Sequence, residues 1–282
     1  MKDLGGKTAV LTGANGGLGI HMARALAKEK MNLLLVAYPE SGVEMLRTTA
    51  ATLCPQAEVI LADLRLPSEC AQVVRHAEQL FGSVDLLVNN AGMEFSSLYH
   101  ELSEAQVLDV LAVNLGASML LARRVLAGMV ERKSGHIVNI SSLAGKGGPA
   151  CQEPYAATKA ALTAFTFSLR ATYRGTGVSA SVVCPGFVEA GIYARTKTRT
   201  RRSAPRMLAG NLPERVARAV VKAVRHDVPE LIVNRFPIRP MLVLSALSPT
   251  LGEWVTDFLG VNDFFRSAAA AERQVRDLEI VA

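Results

Sequence analysis

Tyr155 and Lys159 lie four residues apart at the start of a stretch that reads as helix, a spacing that puts both side chains on one helical face. A free phenol titrates near 10, too high for proton exchange at neutral pH, and an ammonium beside it favours the phenolate and lowers that value. Ser142 precedes Tyr155 by thirteen residues and follows an apolar strand, so both belong at the C-terminal edge of a sheet. A hydroxyl, a phenol and a cation gathered there can move a proton to or from a carbonyl or an alcohol. Tyr-x-x-x-Lys alone also describes a solvated helix face. A second motif decides between the two.

That motif is Thr12-Gly13-Ala14-Asn15-Gly16-Gly17-Leu18-Gly19, between an apolar strand and a helix. Glycines let the chain turn sharply and let a pyrophosphate approach the backbone, while the helix N-terminus offers N–H groups and the positive end of its dipole. The strand–turn–helix context is the one nucleotide binding requires. The spacing differs from G-x-G-x-x-G, and the Gly-Lys-Ser/Thr of a P-loop is missing, which disfavours an NTPase.

Short, continuously apolar strands alternate with helices along the rest of the chain. Strands are expected at Lys7–Thr12, Asn32–Ala37, Glu58–Ala62, Val84–Val88, His136–Ile140, Val178–Val183 and Leu231–Val233. Helices are expected over 18–29, 41–53, 67–81, 104–132, 155–174 and 213–225. Pro67 opens the third helix and Gly82 stops it. The pattern predicts an α/β fold: a doubly wound, seven-stranded parallel sheet, Rossmann-like, covered on both faces. Residues 1–235 form one nucleotide-binding catalytic domain. Residues 236–282 are a C-terminal helical extension packed on it.

Composition narrows the function classes. The chain has 282 residues, half of them apolar and a fifth charged, which excludes disordered and collagen-like chains. The net charge of +6 is local: Arg195, Lys197, Arg199, Arg201, Arg202 and Arg206 form a run without an intervening acid. The remainder is balanced, so no nucleic-acid partner is expected. Cys54, Cys70, Cys151 and Cys184 form no Cys-x-x-Cys pair and have no His cluster with them, so no metal is expected. Scattered thiols suit a reducing compartment, and the N-terminus lacks the apolar core of a secretory signal, so the expected location is cytoplasmic. No uninterrupted apolar run reaches bilayer length; Met241–Leu259 is broken by Pro249 and carries Glu253 and Asp257.

These motifs together resemble the short-chain dehydrogenase/reductase superfamily, over about residues 5–235, in its shorter-chain type with T-G-x-x-x-G-x-G and Y-x-x-x-K. Thr12–Gly19 matches the family's cofactor turn, Asp63-Leu64 the pair at the adenine, and Asn89-Asn90-Ala91-Gly92 the N-N-A-G after strand four. Asn114, Ser142, Tyr155 and Lys159 match the catalytic tetrad, and Pro185-Gly186 the turn beneath the nicotinamide. The resemblance implies cofactor contacts at Gly13, Asn15, Gly16, Gly17, Leu18, Gly19, Tyr38, Asp63, Leu64, Asn90, Ala91, Gly92, Tyr155, Lys159, Pro185, Gly186 and Val188. It implies hydride transfer, with Tyr155 giving the proton and Ser142 orienting the carbonyl. Lys159 would hold the ribose and depress the phenol, and Asn114 would hold a water that links Lys159 to solvent.

Three positions depart from the pattern. The cofactor-selecting end of strand two is Ala37-Tyr38, with neither an acid for NAD nor a base for NADP; Glu40 follows Pro39. The lack of a repelling carboxylate tilts the expectation to NADP(H), with NAD(H) the alternative. Ala190 stands where the family often has Thr, and Asn15 where a Ser or basic residue is common.

The expected function is an NADP(H)-dependent oxidoreductase interconverting an apolar ketone and a secondary alcohol. The alternative is a 3-oxoacyl-thioester reductase of lipid or polyketide synthesis, and a further class is a non-catalytic nucleotide sensor. Residues 187–212 are expected as a substrate loop, its basic run solvated or recognising a phosphate or carboxylate. Glu94, Phe95, Tyr99, Leu143, Lys146, Glu153, Tyr193 and Met207 are the candidate pocket residues, and His21 and His136 are structural. The apolar tail is expected to pack on the body or a subunit interface, with a wall for an apolar substrate or a peripheral membrane contact as alternatives. The resemblance also implies a homodimer or homotetramer, through helices near 104–132 and 155–174.

Overall fold

Seven parallel strands form one sheet in the order β3-β2-β1-β4-β5-β6-β7. They are β1 (Thr8–Thr12), β2 (Asn32–Ala37), β3 (Ala57–Leu61), β4 (Leu86–Asn89), β5 (Gly135–Ile140), β6 (Val178–Pro185) and β7 (Glu230–Val233). The computed structural model describes residues 1–38, 42–53, 56–206 and 208–281, with side chains to residue 274. Every expected strand is present, with ends shifted by a residue or two. Thr8 stands opposite Asn32 and Ala9 opposite Leu86, so β1 is paired on both sides. Chain order reverses between β1 and β4, and the crevice above their C-terminal ends is where open α/β sheets bind ligands.

Helices cover both faces. They are α1 (Gly19–Lys28), α2 (Val43–Leu53), α3 (Pro67–Phe81), α4 (Glu104–Leu111), α5 (Ala117–Glu131), α6 (Ala144–Gly147), α7 (Glu153–Thr172), α8 (Gly191–Thr200), α9 (Pro213–His226), α10 (Arg239–Leu247), α11 (Pro249–Phe258) and α12 (Val261–Val281). Successive strand side chains point to opposite faces. Leu11 and Leu35 therefore meet Met22 and Leu26 of α1 and Val220 and Val224 of α9 on one side. Val10 and Leu34 meet Val73 and Val74 of α3 and Leu121 and Val125 of α5 on the other. Each such Leu or Val contributes ~1.5–3 kcal/mol by leaving water. Buried on both faces, the strands have to be apolar throughout, which is why they were readable.

The structure bears out the helical stretch over 104–132, with one detail added, and corrects two other expectations. The single helix over 104–132 is α4 and α5 joined by a π-helical turn, Ala112–Gly116. The continuous stretch Glu104–Glu131 is, by length and a mean hydropathy of 1.6, apolar enough to cross a membrane. A search for an unbroken apolar run passes over it, because a helix needs only a high average. One face of this helix packs on the sheet through Leu121, Val125 and Met129. The substrate loop is partly helical, because α8 lies within it. A third apolar cluster holds α8 down: Tyr193, Phe264 and Phe265 with Phe187, whose ring centroid lies 5.1 Å from that of Tyr193 and 5.3 Å from that of Phe264.

Candidate active site

Thr12 ends β1, and its hydroxyl oxygen accepts the N–H groups of Asn90 and Ala91, each at 3.0 Å. The Asn90 amide donates back to the Thr12 and Gly13 carbonyls at 2.9 and 3.0 Å. The loop after β4 is thereby clamped to the glycine turn. Gly13 has φ +63°, and a Cβ on it would come within 2.8 Å of the Ala91 Cα. A Cβ on Gly19 would come within 2.3 Å of the Gly13 oxygen. These contacts leave bare backbone at the N-terminus of α1, as a pyrophosphate requires. The cradle fits a dinucleotide.

A cavity of about 800 Å³ opens from this cradle. Every residue expected at the cofactor lines it except Gly19, which packs behind the turn. Ser142, Tyr155 and Lys159 line it too, while Asn114 is fully buried behind the wall. The Asn114 side chain accepts the Met93 N–H at 2.8 Å and donates to the Met93 carbonyl at 3.0 Å, which fixes the backbone next to Gly92.

Lys159 is buried, one turn below Tyr155 on α7, and donates to the Ile140 carbonyl at the end of β5 at 2.9 Å. Its nitrogen stands 5.5 Å from the Tyr155 ring centroid. Burial pushes its pKa down to about 8, with the Cys184 sulfur opposing. The Ser142 hydroxyl faces the Tyr155 phenol. The phenol is held above the ordinary value, first by burial and then by the Glu94 carboxylate. The expected depression of Tyr155 is thus reversed: loss of solvation and the Glu94 charge act in the same direction, and only the Ser142 hydroxyl opposes them. Glu94 is itself raised to about 7 by burial, against the pull of Arg195 and Arg199. His136 is buried against the Ser181 hydroxyl at 2.8 Å, away from the cavity, and His21 faces Glu214 at 3.1 Å; both are structural.

Of the candidate pocket residues, Glu94, Leu143, Lys146 and Tyr193 line the cavity. Phe95, Tyr99 and Glu153 do not; Tyr99 starts a short 3-10 turn and is largely exposed. Met207, Glu40, Pro39 and Cys54 lie outside the described residues. Lys146 is tied to Glu230 at 2.6 Å.

Two contributions to the site escaped the sequence reading. A cation does reach the end of β2: Arg65 donates to the Tyr38 hydroxyl at 3.0 Å, and its guanidinium carbon lies 5.6 Å from that ring's centroid. Arg65 also pairs with Asp63 at 2.6 Å and Asp109 at 3.1 Å, which holds the Asp63 carboxyl below its usual range. Its position right after Asp63-Leu64 was the available signal. The second contribution is α8: a Cβ on Gly17 would meet the Gly191 nitrogen at 2.1 Å, and Arg195 and Thr196 line the cavity. The tail takes the place that one of its alternatives gave it: Met241, Leu242, Val255, Leu259, Phe264 and Phe265 stand in the same wall.

A family model described as short chain dehydrogenase matches residues 7–201. The chain is similar to the ketoacyl reductase HetN of Nostoc sp. (strain PCC 7120), 40% identical over 282 residues, 98% of this chain and 96% of that protein. It is similar to the 3-oxoacyl-[acyl-carrier-protein] reductase FabG of Vibrio cholerae, 33% identical over 66% of this chain and 75% of that one. Among solved structures, a variant of the actinorhodin polyketide ketoreductase with NADPH superposes with a TM-score of 0.74 at 30% identity, over 81% of this chain and 95% of that one.

Proposed function

This chain belongs to the short-chain dehydrogenases, and on that footing we propose that it is an NADP(H)-dependent oxidoreductase reducing a ketone to a secondary alcohol, with 3-oxoacyl thioesters as its substrate class. One observation carries the reading: Ser142, Tyr155 and Lys159 share a cavity whose far reaches, from α10 to α12, are walled by apolar side chains. The ketoacyl reductases among its relatives favour the thioester over a simple apolar ketone. Arg195 in the cavity wall suits the anionic end of such a substrate.

The glycine turn would hold the pyrophosphate. Arg65 with Tyr38 would hold the 2′-phosphate, in place of a base at the end of β2. The reduced nicotinamide, when bound, supplies the hydride. Tyr155, kept protonated at neutral pH by burial, gives its proton to the carbonyl oxygen. Ser142 bonds the same oxygen and orients it. Lys159, charged below about pH 8, stabilises the phenolate left behind and binds the ribose. Asn114 fixes the Gly92–Met93 backbone beside them and, as the family resemblance implies, would hold the water that links Lys159 to solvent.

The protein works as a homo-oligomer in this reading. Leu108, Leu111 and Met119 on α4 and α5 and Phe167 on α7 are exposed, which supports pairing through those helices.

The test is NADPH oxidation with acetoacetyl and longer 3-oxoacyl thioesters, against simple ketones. Thioesters should turn over fastest, and Tyr155→Phe should abolish turnover while NADPH still binds. Consumption of ketones alone would defeat the substrate assignment, and full activity in Tyr155→Phe would defeat the mechanism.

A further inference from the structure

The tail has two apolar faces, and only one is used. At about 100° per residue, Met241, Leu242 and Ser245 share one side of α10, and Val255, Thr256 and Leu259 one side of α11; these six line the cavity. The two helices close tightly, since a Cβ on Gly252 would come within 2.9 Å of the Ser245 Cβ. The other side carries Val243, Leu244, Leu247, Leu251, Trp254 and Phe258, all exposed: Leu247 is 78% exposed, Phe258 75% and Trp254 60%. The rings of Trp254 and Phe258 stack in the open at 5.3 Å. A helix that is apolar on both sides is one with a missing neighbour.

Charge says what that neighbour is. The acids Glu253 and Asp257 fall roughly 100° round α11 from the exposed apolar stripe, and Asp257 is bonded to Asn262 at 2.6 Å. Cations flank the hairpin instead. Arg235 precedes α10 and Arg239, paired with Glu230, opens it, while Arg201 and Arg202 follow α8, whose Arg195 and Thr196 line the same cavity. Arg201, Arg202 and Arg235 are exposed and hold no carboxylate among the described residues. A second copy seated here about a twofold axis would bring these like charges toward one another. An anionic lipid surface takes both features: the stripe enters the acyl boundary and the arginines meet phosphates. We propose that the α10–α11 hairpin docks this protein on anionic membrane surfaces. The proposal goes beyond the ketoreductase reading and stands without it.

Trp254 is the chain's one tryptophan, so its fluorescence reports this face alone. The full-length protein is mixed with phosphatidylcholine vesicles, with or without phosphatidylglycerol, and both Trp254 emission and co-sedimentation are followed. Phosphatidylglycerol vesicles should shift the emission to the blue, shield it from acrylamide and pellet the protein. High salt should reverse this, and phosphatidylcholine alone should bind weakly. Leu247→Glu with Phe258→Glu should stay in the supernatant while keeping wild-type turnover. Arg201→Glu with Arg202→Glu should weaken pelleting without moving the emission in buffer, a check that survives if the first pair misfolds. Unshifted emission and a soluble protein with anionic vesicles would overturn the proposal. So would a Trp254 already shielded in lipid-free buffer and released on dilution to monomer, which would give the face to a second copy.

Discussion

At the Asp63 end of the cleft, one guanidinium stands where it would favour a 2′-phosphate. Arg65 is held by Asp63 and Asp109, and its contact with the Tyr38 hydroxyl aims it at the end of β2. A 2′-phosphate arriving there meets a fixed cation, and a 2′-hydroxyl gains little from it. Arg65→Ala should raise the dissociation constant for NADPH several-fold and leave that for NADH nearly unchanged, as titration of the purified protein would show. At the reacting end, two buried groups set the pH response. Glu94 gains its charge through about pH 7 and Lys159 loses its charge through about pH 8. Both changes make the Tyr155 phenolate harder to form, because an anion appears beside it and then a cation is lost. The kcat/KM for reduction should therefore fall in two steps as pH rises, near 7 and near 8. Glu94→Gln should remove the first step and keep the second; a single unchanged limb in that variant would remove Glu94 from the chemistry.

At the scale of elements, the turn between β1 and α1 has no slack. Gly19→Ala would drive a methyl group to 2.3 Å from the Gly13 oxygen and 2.6 Å from the Ala14 Cα, both backbone. Such overpacking costs about 1–3 kcal/mol, and the turn that yields is the one that holds the pyrophosphate. Thermal denaturation should register the loss of stability, and NADPH affinity should fall with it. The same turn was legible in the sequence because its glycines sit where a strand hands over to a helix. Buried strands such as Asn32–Ala37 were legible because burial on both faces forces unbroken apolar runs. α8 was not: Gly191–Thr200 holds three threonines, a glycine and three cations and has little helical tendency of its own. It forms because Tyr193 is packed among Phe187 and Phe264, contacts that no local pattern encodes. The tail was legible as a helical extension, but not its division into α10, α11 and α12, since its apolar residues face the cavity on one side and the surroundings on the other. Arg65 and the raised phenol of Tyr155 depend on distances across the sheet edge, and spacing along the chain does not contain those.

For the molecule as a whole, the open question is what covers the helix Glu104–Glu131. Only 33% of its most apolar window is buried within the protomer. One side is spent on the sheet through Leu121 and Val125, which ties it to the body of the fold. The other side leaves Leu108, Leu111 and Met119 exposed, and Phe167 of α7, which packs against α4, adds an exposed ring. A second copy applied about a twofold axis would cover this face with its own equivalent, an isologous contact in which like meets like. Apolar side chains suit that arrangement, whereas the arginine-flanked hairpin of α10 and α11 does not, so the two exposed faces call for different partners. A specific dimer buries roughly 800 Å² on each side, and charges placed in its centre are left without water or partners. Met119→Glu with Phe167→Glu should therefore yield a monomer by light scattering where the unaltered protein gives a dimer or larger. Binding of Trp254 to anionic vesicles should persist in that monomer, because the hairpin belongs to one chain. A wild-type protein that scatters as a monomer would sink the pairing through these helices, and vesicle binding lost together with the dimer would show the two faces to be one.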